Sequence, residues 1–272
     1  MRALSLSRAW DDTKAIITRD GRLFASVALA LVALPAAIEG LVSPRGMDAS
    51  APWWVDAVLI VASLIALAGQ LALIRLALGP SITVGGAIAH GVRRMPIYLL
   101  AAILILGALF IAAIPFALVL TLMGVPLPAN GVSASPPAAV AALLYFVLIC
   151  FVAVRMLMTA PVTSAERAWP LAIVRRSWEL TAGNWWRLFA FFVLFLIAAI
   201  AFVGGLGAAT AVVVRLFVGP ITPLSTGALV VALVQALFNT VVTTGLAVML
   251  ARIYVQLSGR GDVEASVPTT GI

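Results

Sequence analysis

The chain is poor in charge. Only 10% of its 272 residues are Asp, Glu, Lys or Arg, where an ordinary soluble domain carries about a quarter. Water cannot solvate so apolar a surface, so a soluble globular fold is excluded and lipid is the remaining solvent. Cysteine occurs once, as Cys150 inside an apolar run, which excludes a disulfide within the chain and a thiolate metal cluster. Histidine also occurs once, as His90, with no acid within four residues. H-E-x-x-H, G-x-S-x-G and a pair of intramembrane aspartates are all missing. No metal, no cofactor and no catalytic residue is therefore expected, and the chain does not read as an enzyme.

Apolar sequence fills the space that charge leaves, at 64% of the chain. A helix rises about 1.5 Å per residue and the hydrocarbon layer is about 30 Å thick. Six runs are long enough to cross it, near 22–42, 54–79, 97–124, 137–160, 186–214 and 226–254. The fold expected is all-α and integral to the membrane, a single domain over residues 1–258 followed by a disordered tail, 259–272. The first twenty-odd residues do not read as a cleavable signal, because Asp11, Asp12 and Asp20 interrupt them.

The net charge of +7 is explained by position. With the N-terminus inside, every lysine and arginine except Arg45 and Arg215 falls on the cytoplasmic side or at a cytoplasmic helix end. This bias orients the chain with both termini in the cytoplasm. It accounts for the basic balance through topology and anionic lipid, with no need of nucleic acid.

Three basic segments precede spans one, three and five, and each reads as an amphipathic helix lying in the interface. In the first, Trp10, Thr13 and Ile17 recur at helical spacing. In the second, Ile82, Ile88, Val92 and Met95 form an apolar face with His90, Arg93 and Arg94 off it. The third is the clearest. Thr163 and Glu166 have capping-box spacing, Pro170 suits the first position of a helix, and Gly183-Asn184 marks a stop after about Leu180. Trp10, Trp178, Trp185 and Trp186 read as interfacial anchors.

The segments also align with one another. RAWDDTKAIITRDGRLFA (8–25) matches RSWELTAGNWWRLFA (176–190), and LALIRLALGP (71–80) matches FVAVRMLMTAP (151–161), with LARIYVQLSG (250–259) a fainter third copy. Three tandem units follow, about 6–80, 81–161 and 162–258, each an interfacial helix, a first span with a mid-helix breaker (Pro35, Pro115, Gly204-Gly205) and a second span ending in an arginine.

The run from Arg155 through Pro161, Glu166, Arg176-Ser177-Trp178, Leu180-Thr181, Gly183-Asn184-Trp185 and Arg187 resembles the membrane-domain family named for glycerophosphoryl diester phosphodiesterases, with its YciC-like relatives. The resemblance implies a bacterial multi-pass membrane protein. Some relatives fuse this domain to a soluble catalytic domain; here the longest stretch off the membrane, roughly 161–185, is too short to fold as one.

Two sets of polar residues stand out within the spans. Arg75, Arg155 and Arg252 occupy matched positions near cytoplasmic span ends. They read either as snorkelling anchors or as a set converging on a phospholipid headgroup, since the guanidinium fork suits phosphate. Gln70, Gln235, Asn239 and Thr243 read as intramembrane contacts between helices. Glu39 and Asp56 fall at outer span ends, so no ionisable group marks the midplane of an ion-coupled path. The function expected is lipid binding or membrane organisation without catalysis, with membrane lipids as partners. The alternative is a small-solute or lipid transporter, or the membrane subunit of a complex.

Overall fold

A computed structural model describes residues 5–43, 52–79, 83–125, 135–219 and 221–259. Among these the structure is helical, with no strand. The helices are α1 (Leu6–Val42), α2 (Trp53–Leu78), α3 (Val84–Leu122), α4 (Pro136–Arg155), α5 (Thr159–Ala165), α6 (Pro170–Thr181), α7 (Trp185–Phe217) and α8 (Thr226–Ser258). Six apolar stretches, α4 with α5 counting as one, are long enough to cross a membrane, and the chain is an all-α multi-pass membrane protein. The sequence places Arg45 and the tail from Arg260 onward outside the described residues.

The third basic segment forms a helix of its own, from Pro170 at its first position to Thr181. It stops because Gly183 takes φ +84°, a left-handed conformation that breaks the helical path and that glycine adopts at little cost. The other two basic segments have no such residue and run on into their spans. In α1 a kink at Asp20 (φ −114°, ψ 17°) separates the basic segment from the span without ending the helix, and beside it Arg19 forks onto the Asp20 carboxylate. In α3 Thr83 caps the start by accepting from the Gly86 N–H at 3.2 Å, and the helix passes through Pro96 and Pro115 without ending. Burial of Met95 and Tyr98 against the core holds the chain helical around Pro96.

Two expectations near span four are corrected. The capping box is absent: Thr163 lies inside α5 and its hydroxyl donates back to the Thr159 carbonyl at 2.7 Å, while Glu166 follows the end of that helix. Nor does Pro161 end the span. The chain turns earlier, at Met156 to Met158, and Pro161 sits in the first turn of α5, where its missing N–H is no loss.

Helices α1, α2 and α8 make the packed centre, and the core sits at their basic ends. Leu71 to Ile74 of α2 are wholly buried, as are Ala247, Val248, Ala251, Ile253 and Tyr254 of α8 and Val27 of α1. Glycine sets two of the approaches. A Cβ on Gly69 would lie 2.6 Å from the Leu31 side chain, and one on Gly91 would fall onto the Ala68 carbonyl. The short α5 is buried along Thr159 to Ser164, wedged beneath the bundle against α2, α3, α6 and α8. Packing away from this end is sparse: 39% of the apolar window of α2 is buried, but only 6% of that of α3 and of α7. A π-helical turn interrupts α1 at Leu29–Ala33 and α7 at Ile200–Gly204.

Candidate functional site

The basic end holds a cavity of about 670 Å³. Its cationic lining comes from three elements. Arg75 projects from the last turn of α2, beyond the buried run Leu71 to Ile74 that fixes that turn. His90, Arg93 and Arg94 project from the first turns of α3, on the face also carrying Ile97, a spacing of three to four residues that lines up one side of a helix. Arg167 comes from the extended stretch between α5 and α6, next to the exposed Trp169. Among the described residues no carboxylate lines the cavity.

The nearest acid is drawn away. Glu166 accepts from the Tyr254 hydroxyl at 2.7 Å and lies 3.5 Å from Arg176 Nε. Arg176 also reaches Glu179 at 3.6 Å, and Arg175 pairs with Glu179 at 2.9 Å. The carboxylates of this region are thus taken up by α6 and α8. Among the described residues Arg75, Arg93, Arg94 and Arg167 form no ion pair. A half-enclosed group of like charges is costly unless an anion joins it. Guanidinium forks offer the planar pairs of donors that phosphate and carboxylate accept.

Arg75, Arg155 and Arg252 do not converge. Arg155 is held between α4 and α6: its guanidinium lies 5.3 Å from the Phe151 ring centroid and 4.9 Å from that of Trp178. It donates to the Trp178 carbonyl at 3.4 Å, while its own carbonyl accepts from Ser177 at 2.8 Å. Arg252 pairs with Asp12 at 3.3 Å, in a separate recess between α1, α2 and α8. Only Arg75 faces the cationic cavity. Aromatic faces and an aspartate satisfy the other two locally, which their matched sequence positions do not reveal.

The residues that join Arg75 were legible in part. His90, Arg93 and Arg94 were separated from the apolar face of their segment, and their common spacing was the available signal. Arg167 carried no such signal: its place in the sequence leaves Arg167, Arg175 and Arg176 all within reach of Glu166, and the geometry pairs Glu166 with Arg176. Of the four expected anchors, Trp10, Trp178 and Trp186 are exposed. Trp185 stacks on Phe189 at 5.0 Å and meets Phe151, and Trp178 packs on Phe151.

The four polar residues expected to bond between spans do not do so. Among the described residues none of Gln70, Gln235, Asn239 and Thr243 makes a side-chain hydrogen bond. Helix α8 turns Gln235 and Asn239 toward a recess lined mostly by Ala36, Gly40, Leu59 and Val203, with Glu39 and Ser43 as its other polar residues. Gln70 and Thr243 line none of the cavities described.

No curated protein and no solved structure matches the chain. One family does, over residues 4–257, and this span takes in every described helix except the last residue of α8, and both sets of polar residues. The chain therefore belongs to the family described as a domain of unknown function, DUF7847.

Proposed function

We propose that this protein is a non-enzymatic inner-membrane protein of bacterial type that binds anionic phospholipid headgroups at its basic, cytoplasmic end. One observation carries the reading: Arg75, Arg93, Arg94 and Arg167 share a cavity that, among the described residues, contains no carboxylate. Its other walls include Ile97, Leu100 and Trp169, so a ligand with a charged head and an apolar body is complementary to both parts. The basic bias of this end agrees with the attraction of arginine to anionic lipid. The segment that resembles the phosphodiesterase-associated membrane domains includes Arg167 and Trp169 of the cavity wall, and we read the chain as a relative of those domains. The tandem arrangement of three units is part of the same proposal, supported by the π-helical turns in the first spans of units one and three.

Native mass spectrometry of the protein released from phosphatidylglycerol nanodiscs tests the reading. The wild type is expected to retain phosphatidylglycerol, and Arg75→Gln with Arg94→Gln to lose it. Equal retention by the two overturns it. A second reading, transport of a small solute or lipid, is favoured by the polar recess at the opposite end of the bundle.

A further inference from the structure

That recess, of about 340 Å³, lies between α1, α2, α7 and α8. Glu39 of α1 is its one acid among the described residues, and Gln235 and Asn239 of α8 are its amides. Gln235 and Asn239 stand nine and thirteen residues beyond Thr226, the start of α8, or roughly 14 and 20 Å along the helix. At that depth acyl chains offer no hydrogen bond, and a polar group left facing them is costly. Yet both amides are exposed and, among the described residues, neither is hydrogen-bonded. Glu39 accepts from the Ser63 hydroxyl at 3.2 Å and forms no ion pair among the described residues.

Backbone approach builds the recess. A Cβ on Gly207 of α7 would lie 2.5 Å from Gln235 Nε2, so the amide occupies room that only glycine leaves. A Cβ on Gly40 would lie 3.0 Å from the Ala232 Cβ, which brings Glu39 beside α8. A carboxylate with no cation among the described residues, next to two groups that both donate and accept, is half of a recognition site. Its charge calls for a cation. The donor capacity of the amides is wasted on a metal ion, and the volume, about eleven water shares of 30 Å³ each, is far larger than a bare ion.

We propose that the recess between Glu39, Gln235 and Asn239 binds a primary ammonium compound that carries a hydrogen-bonding oxygen near its nitrogen. Glu39 takes the ammonium and the amides take the oxygen. The site is separate from the basic cavity and independent of it. The same chemistry arises in a water-soluble aminoalcohol and in an amine headgroup held by lipid.

Titration of the purified full chain in phosphatidylglycerol nanodiscs with ethanolamine, lysophosphatidylethanolamine and choline, read by calorimetry, tests the proposal. One of the two primary amines is expected to bind saturably: ethanolamine if the source is a solute, lysophosphatidylethanolamine, whose phosphate oxygens stand near its ammonium, if it is the membrane. Glu39→Gln is expected to weaken that binding tenfold or more, and choline, which has no N–H, to bind at least tenfold more weakly. Gln235→Leu with Asn239→Leu gives a second route that leaves the carboxylate in place and is expected to lose binding tenfold as well. Absence of binding by both primary amines overturns the proposal. So does unchanged affinity in both variants, or choline binding as tightly as the amine. Arg75→Gln with Arg94→Gln is expected to leave amine binding unchanged, so failure at one end does not decide the other.

Discussion

Ser164 joins three helices through two atoms. His90 Nε2 donates to the Ser164 carbonyl at 3.0 Å, and Ser164 Oγ donates to the Leu71 carbonyl at 3.3 Å. The first bond ties α3 to α5 and the second ties α5 to α2, directly beside the cationic cavity. The bond to a carbonyl fixes the proton of the neutral imidazole on Nε2. His90 is thereby a positioning residue, and the lone histidine of the chain has a structural use that its sequence neighbours did not disclose.

Removing either bond is expected to loosen α5. His90→Phe and Ser164→Ala should each lower stability by about 1 kcal/mol, read as a fall in the thermal midpoint of the protein in nanodiscs. Because the two bonds share Ser164, the double variant should lose less than the sum of the single losses.

Arg155 and Arg75 should separate stability from ligand retention. Arg155→Gln removes two aromatic contacts and a hydrogen bond to Trp178. It is expected to cost about 1–2 kcal/mol while phosphatidylglycerol retention stays as in the wild type. Arg75→Gln should do the reverse, with little change in thermal midpoint and weaker retention. Measuring both properties on both variants checks the division.

The approach of α2 and α3 depends on Gly91. Gly91→Leu places a side chain against the Ala68 backbone, which cannot give way, and is expected to cost more than about 3 kcal/mol. Size-exclusion chromatography should show aggregation or loss of the monodisperse peak. Gly107→Ala in the same helix meets open space and should be neutral or stabilising by up to about 1 kcal/mol.

The Asp12–Arg252 pair is partly exposed, at 34% and 24%, so its coupling should be small. A double-mutant cycle with Asp12→Asn and Arg252→Gln is expected to give about 1 kcal/mol or less, decreasing with added salt.

Much of the architecture was legible because it rests on local physics. Hydropathy alone located the spans, and Pro170 with Gly183 bounded α6 because proline fixes its own φ and glycine tolerates the positive φ of the turn after Ala182. The places that resisted reading depend on tertiary contact. Whether the chain passes through Pro96 is decided by what Met95 and Tyr98 pack against. The destinations of Arg75, Arg155 and Arg252 were equally hidden: matched positions in a sequence do not carry equivalent neighbours. The cationic cavity is visible only after Tyr254, from the far end of the chain, takes Glu166 out of it.

The sparse packing of α3 and α7 changes what counts as the folded molecule. Where helices do not fill one another's grooves, acyl chains must supply the missing dispersion contacts. Lipid on that side serves as mortar between helices and is more than a surrounding fluid. Stripping the protein in harsh detergent should therefore unseat the end remote from the arginines first, while the α5 wedge and its neighbours hold.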